Sequence, residues 1–127
     1  MKRFKREIIT LIVIIVFIVG IDLITDKIMK NVVDDMVNLI EDIERKIGEN
    51  LEDVKIDDLK KVWHEKEVML AYFSEHDELE KVTVEVTELK SNMENDMKEE
   101  AKGNIDKIKF LLKHIEEKEK LKLKNIF

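Results

Sequence analysis

Few side chains in this sequence are equipped for chemistry. There are three histidines, His64, His76 and His114, two serines, Ser74 and Ser91, and no cysteine. His76 and Glu80 lie four residues apart, a spacing that puts two metal-ligand types on one helix face, with Asp77 beside them. His76, Asp77 and Glu80 are therefore the nearest approach to a metal or small-ligand site. The same three residues also read as a loop and a helix cap, which accounts for them without a ligand. His64-Glu65 begins like the helix motif of zinc proteases, but Val68 stands where the second histidine is needed. Ser74, His76 and Asp77 are too close in sequence to form a nucleophilic triad, and no glycine-rich turn supplies an oxyanion hole. The 29 acidic residues form carboxylate pairs everywhere, which are solvated faces. No catalytic residue, cofactor-binding residue or metal is assigned, and no enzyme activity is expected.

The elements that carry these residues are helices. The sequence has no proline and three glycines, Gly20, Gly48 and Gly103, too few turn formers for a sandwich or barrel. Charged residues make up 41% and apolar residues 44%, a mixture of amphipathic helices rather than of disorder. The fold class read from this is all-α, with an N-terminal transmembrane helix followed by an antiparallel bundle of about four helices.

Residues 8–25, IITLIVIIVFIVGIDLIT, are the most decisive segment. Fourteen of the eighteen are Ile, Leu, Val or Phe, at roughly −0.3 to −0.6 kcal/mol each for insertion, which sums to about −6 kcal/mol. Asp22 opposes this by at most about 3 kcal/mol, and by less near the end of the span, where it can reach headgroup water. Insertion wins. MKRFKR would serve as the n-region of a signal peptide, but Val19-Gly20-Ile21-Asp22 is a poor cleavage site. The segment is therefore read as an uncleaved anchor, with Ile8, Phe17 and Ile24 among its lipid-facing residues. Lys2, Arg3, Lys5 and Arg6 precede it, and that basic bias keeps the N-terminus in the cytoplasm. The expected organisation is a cytoplasmic N-terminus (1–7), a transmembrane anchor (8–25) and an extracytoplasmic helical domain (26–127) of a single-pass membrane protein.

That domain carries 19 basic and 27 acidic residues. Its net charge of −8 repels phosphate backbones and anionic lipid headgroups, so nucleic-acid binding is disfavoured. A first helix is expected from about Asp26 to Ile47, with Met29, Val32, Met36, Leu39, Ile40, Ile43 and Ile47 on one face and Gly48 as its C′ residue. No breaker separates it from the span, so the two can form one continuous helix. A second helix starts at Asn50 or Asp57 and buries Leu59, Val62, Trp63, Leu70 and Phe73. Asp77 with Glu80 predicts a capped start for a third helix. Within it, Val82-Thr83-Val84-Glu85-Val86-Thr87 alternates like a strand, yet Leu79, Val82, Val86, Leu89 and Met93 keep a 3-4 spacing, and no second strand exists to pair with it. Helix is preferred, with Val84 its weakest point. Asp96 with Glu99 predicts the cap of a fourth helix, with Met97, Ala101, Ile105, Ile108, Leu111, Leu112 and Ile115 buried and Gly103 placed for close helix contact. Trp63 is expected in the core. Ile126 and Phe127 are expected to dock onto the bundle or to meet a partner.

Several stretches carry a resemblance: Lys109-Phe-Leu-Leu-Lys-His114-Ile115, Glu117-Lys-Glu-Lys-Leu121, the closing Asn125-Ile126-Phe127, the single Trp63, and Phe73-Ser-Glu-His76-Asp77 after a short apolar leader. Together they resemble the bacterial membrane-anchored helical family catalogued as domain of unknown function 4363, over essentially the whole chain. Lys102-Gly103-Asn104 departs from it. The resemblance implies a membrane-tethered protein with no catalytic residues to carry over and a partner among small integral membrane proteins. The expected function is a membrane-tethered interaction module, an accessory subunit of an integral membrane protein or a self-associating one. The alternative is a small extracytoplasmic sensor using His76, Asp77 and Glu80.

Overall fold

The computed structural model describes residues 2–49 and 56–126, with side chains through Leu121. Four helices account for nearly all of it: α1 (Lys2–Glu49), α2 (Ile56–Leu70), α3 (His76–Glu94) and α4 (Lys98–Ile126), with no strand among the described residues. The apolar leader and the first bundle helix are one continuous α1 of 48 residues, about 72 Å long at 1.5 Å per residue. Its surroundings change halfway. None of the most apolar eighteen-residue stretch is buried, whereas Met29, Val32, Val33, Met36, Ile40, Ile43 and Ile47 are all buried. The second half of α1 thus belongs to a globular core, and the first half projects from it.

The helices pack in a ring, each against its chain neighbours, with α4 closing onto α1. Ion pairs mark three of these contacts. Lys66 meets Asp35 between α2 and α1 at 3.5 Å, Lys90 meets Asp57 between α3 and α2 at 2.8 Å, and Lys109 meets Glu44 between α4 and α1 at 2.7 Å. Of the predicted stripes, Leu39, Val62, Phe73, Met93 and Leu111 are only partly buried; the core itself takes Leu59, Trp63 and Leu70 from α2 and Leu79, Val82, Val86 and Leu89 from α3. From α4 it takes Ala101, Ile105, Ile108, Leu112 and Ile115. Met97, expected inside, is 42% exposed because it lies just before α4 begins.

The strand-like VTVEVT run is helical, as its longer period demanded. Val82 and Val86 are buried while Val84 is exposed. The hydroxyls of Thr83 and Thr87 donate to the carbonyls of Leu79 and Thr83, four residues back, at 3.2 and 2.9 Å. That local bond lets a β-branched polar residue sit in a helix.

The predicted ends of the helices need correction. Gly48 lies within α1 rather than after it, with no positive φ; Asn50 lies outside the described residues, and Asp57 falls in the first turn of α2. The cap of α3 is Glu75, two residues before Asp77, and it makes no side-chain capping bond. The tight link after α2 sets this point. The Phe73 and Ser74 amides fold back onto the Leu70 carbonyl at 2.9 and 2.8 Å, and Glu78 and Leu79 then donate to the Glu75 carbonyl. Asp96 is not the cap of α4 but the left-handed residue that ends α3, at φ 57°. The Met97 amide donates to the Asn92 carbonyl at 2.8 Å and the Asp96 amide to Met93 at 3.2 Å, the two bonds of a Schellman ending. Aspartate tolerates that conformation better than most residues.

Gly103 also differs from expectation. It is exposed, and a Cβ added there meets nothing within 4 Å, so no close helix contact requires it. Gly103→Ala is expected to stabilise the bundle by about 0.5–1 kcal/mol, since only the entropic cost of glycine in a helix is removed; denaturant titration checks it.

Exposed ion pairs lace the surface. Lys90 holds the Asp57 carboxyl below its usual value, and Asp57 in turn raises Lys90. The contribution of Asp57 is complete above the ordinary carboxylate value of 3.8 and is lost as pH falls through its depressed one. That of Lys90 is complete below 10.5 and is lost as pH rises beyond it. The melting temperature should therefore be flat from about pH 5 to 9 and fall on both sides, with a flatter acid limb in Lys90→Gln.

Candidate functional site

The predicted anchor residues stand open along the projecting half of α1. Ile8, Phe17 and Ile24 are 40%, 68% and 61% exposed. Aliphatic side chains exposed all round a helix over five turns, each worth about 1.5–3 kcal/mol when buried from water, have the character of a membrane anchor or a signal sequence. Among the described residues this is the one helix long and apolar enough to cross a membrane. The basic residues Lys2, Arg3, Lys5 and Arg6 cluster and are exposed at its start, with Arg3 4.0 Å from Glu7. Asp22 is half-buried, with Oδ2 shielded and without a hydrogen bond among the described residues.

The residues with chemical potential are not brought together. His76, Asp77 and Glu80 are all exposed on the first turns of α3, and no three His, Asp or Glu groups among the described residues are placed to hold a metal ion. The Ser74 hydroxyl is buried without a hydrogen-bond partner, so no base contacts it. Trp63 is in the core, as expected, at 2% exposure. Its Nε1–H donates to the Thr83 hydroxyl at 2.9 Å, which joins α2 to α3, and that hydroxyl shares its one proton between the Leu79 carbonyl and the Glu67 carboxylate, each at 3.2 Å. Ile126 is the last residue of α4, and Phe127 lies outside the described residues.

Two features escaped sequence reasoning. Asn104, in the stretch that departs from the family pattern, is buried at 4% exposure. Its amide donates to Glu85 and Glu88 of α3 at 2.9 and 3.1 Å, and its carbonyl accepts from Asn92 at 2.6 Å. This network sets how α3 and α4 register, because any shift leaves buried polar groups unpaired. Asn104→Ala is expected to cost about 1–3 kcal/mol, read by denaturant titration. The only signal for it was an Asn at a position where the α4 stripe allows an apolar residue.

The second feature is an open groove of about 720 Å³ between the first half of α3 and the middle of α4. Asp77, Glu80, Glu85, Val84, Lys107 and Phe110 line it. Phe110 is 68% exposed and stacks on His114 with ring centres 6.2 Å apart. Glu78, at the groove's edge, is buried at 9% exposure near Lys118 and His114. The groove is acidic, shallow and mixed in character, without a converging set of polar groups of the kind that fixes a substrate.

No match to the chain is found among curated proteins or among solved structures. One family model does match, over residues 23–126. The matched stretch takes in the four-helix bundle and begins inside the apolar half of α1, so the family signal rests on the packed helices and not on the leader. With most of its length covered, the chain belongs to the family described as domain of unknown function, DUF4363.

Proposed function

We propose that the protein is a membrane-tethered interaction module: α1 anchors the chain in a bilayer through residues 8–25 and holds the acidic bundle outside the cytoplasm, as accessory subunit to an integral membrane protein or in self-association. The observation that carries the reading is the exposed apolar half of α1, whose only stable surroundings are lipid or other apolar helices. Sidedness rests on Lys2, Arg3, Lys5 and Arg6, which stay on the cytoplasmic side of a span. The bundle contributes an acidic surface and an open groove rather than a closed pocket, which suits a protein contact better than a small substrate.

Purification of the full chain in a mild detergent, with mass measured by light scattering, tests the interaction. A stoichiometric partner or a homo-oligomer is the expected result, and a monodisperse, partner-free monomer argues against it. Alkaline phosphatase and fluorescent-protein fusions at Phe127 test sidedness: phosphatase active and fluorescence dark is expected, and the reverse pattern overturns the orientation.

A further inference from the structure

The register between α1 and α4 brings the end of α4 to the level at which the apolar stretch of α1 stops. Lys109 and Glu44 are tied at 2.7 Å. Ile126 lies seventeen residues further along α4. Because both helices rise equally per residue, the same count back along α1 from Glu44 reaches Lys27, two residues from the end of the apolar stretch at Thr25.

The charge of this end is unlike the rest of the domain. Residues 118–127 contain four lysines and one glutamate, a net +3, while residues 26–117 carry −11. The positive charge is interleaved with apolar residues, in the order Lys118, Lys120, Leu121, Lys122, Leu123, Lys124, and then Ile126 and Phe127. Leu121 is 59% exposed. Lys118 is held by Glu75 and Glu78 and Lys120 by Glu116, the two described lysines of this stretch thus pairing with carboxylates of the domain itself. Beyond Lys120 the sequence has no further acidic side chain. A lysine–leucine helix end at the height of a bilayer surface has the composition of an interfacial segment, with alkyl groups for the acyl boundary and ammonium groups for phosphates.

We propose that the last two turns of α4, ending at Ile126, form a second membrane contact, in which Leu121 sits in the headgroup layer and the positive charge of the stretch meets anionic lipid phosphates. This rests on the reading of residues 8–25 as a membrane span. It gives the bundle two points of attachment, one through the bilayer and one upon it. It also reconciles an acidic domain with an anionic surface, because the repelled charge points away and the attracted charge sits at the base. The contact strengthens when the surface carries anionic lipid and weakens with salt.

The chain has no cysteine, so single cysteines can carry an environment-sensitive fluorophore in the full-length protein. Three sites suffice: Leu121→Cys at the tail, Lys98→Cys at the far end of α4, about 35 Å away, and Val16→Cys within the span. Each is reconstituted in phosphatidylcholine vesicles with and without one-third phosphatidylglycerol, and quenched by lipids carrying a nitroxide on the headgroup or deep in the acyl chain. The expected result is deep quenching at position 16, headgroup-level quenching at 121 and none at 98. The signal at 121 should be greater with phosphatidylglycerol, and Lys120→Gln, Lys122→Gln and Lys124→Gln should each weaken the contact by about fivefold on anionic vesicles. If position 121 behaves like 98 while position 16 is quenched, the tail contact is overturned and the anchor stands. Absence of quenching at position 16 overturns both. Quenching at 121 that ignores lipid charge and lysine removal overturns the assignment of phosphate as ligand.

Discussion

Trp63→Ala should destabilise the bundle by about 3–5 kcal/mol, the usual cost of truncating a large buried aromatic. Against a total of about 5–15 kcal/mol for a domain, this removes a fifth or more of the stability, so the variant should melt well below the native protein. Trp63 touches two kinds of support at once. Its ring lies in the core at 2% exposure, and its Nε1–H reaches the Thr83 hydroxyl across the α2–α3 contact. Trp63→Phe separates the two, since it keeps most of the packing and loses the hydrogen bond, with an expected cost nearer 1–2 kcal/mol. Circular dichroism at 222 nm against denaturant measures both. Equal, small losses for the two variants would mean that α2 contributes little to the folded state.

The second large effect concerns the apolar half of α1. Ile14→Lys combined with Phe17→Lys places two ammonium groups near the middle of the stretch, where each costs about 2.5–3.5 kcal/mol and forfeits about 0.5 kcal/mol of favourable insertion. Together they offset the roughly −6 kcal/mol of the native segment. The double variant should move from the membrane pellet to the supernatant on fractionation and carbonate wash, while Ile14→Leu with Phe17→Leu stays in the pellet. Because both positions lie outside the core, the bundle should keep its native melting temperature. Retention of the charged variant in the pellet at native levels would mean that protein contacts, not lipid, hold this segment.

Helix existence was legible in the sequence because it depends on periodicity, and periodicity is local. The 3-4 spacing of Met29, Val32, Met36, Ile40, Ile43 and Ile47 identified the buried face of α1, and the longer period through Leu79, Val82, Val86 and Leu89 prevailed over the strand-like alternation inside it. Helix ends were less legible. The signals at Asp77 and Asp96 are sound for isolated helices, but the links on either side of α3 are so short that backbone bonds from Phe73, Ser74, Asp96 and Met97 decide where the chain turns. Burial that depends on a partner helix was not legible at all. Asn104 is inside only because Glu85, Glu88 and Asn92 face it from α3, and Val33 is covered because α1 is packed from two sides.

The unbroken α1 has a mechanical consequence. From Thr25 to Glu49 the helix runs on without interruption for about 36 Å, with no proline to absorb a change of angle. In a bilayer, a tilt of about 20°, the average for spanning helices, would carry the far tip of the bundle sideways by about 12 Å. Thickness and curvature of the lipid would thereby become a lever arm's swing, felt at the distal turns of α2 and α3 with no conformational change in between.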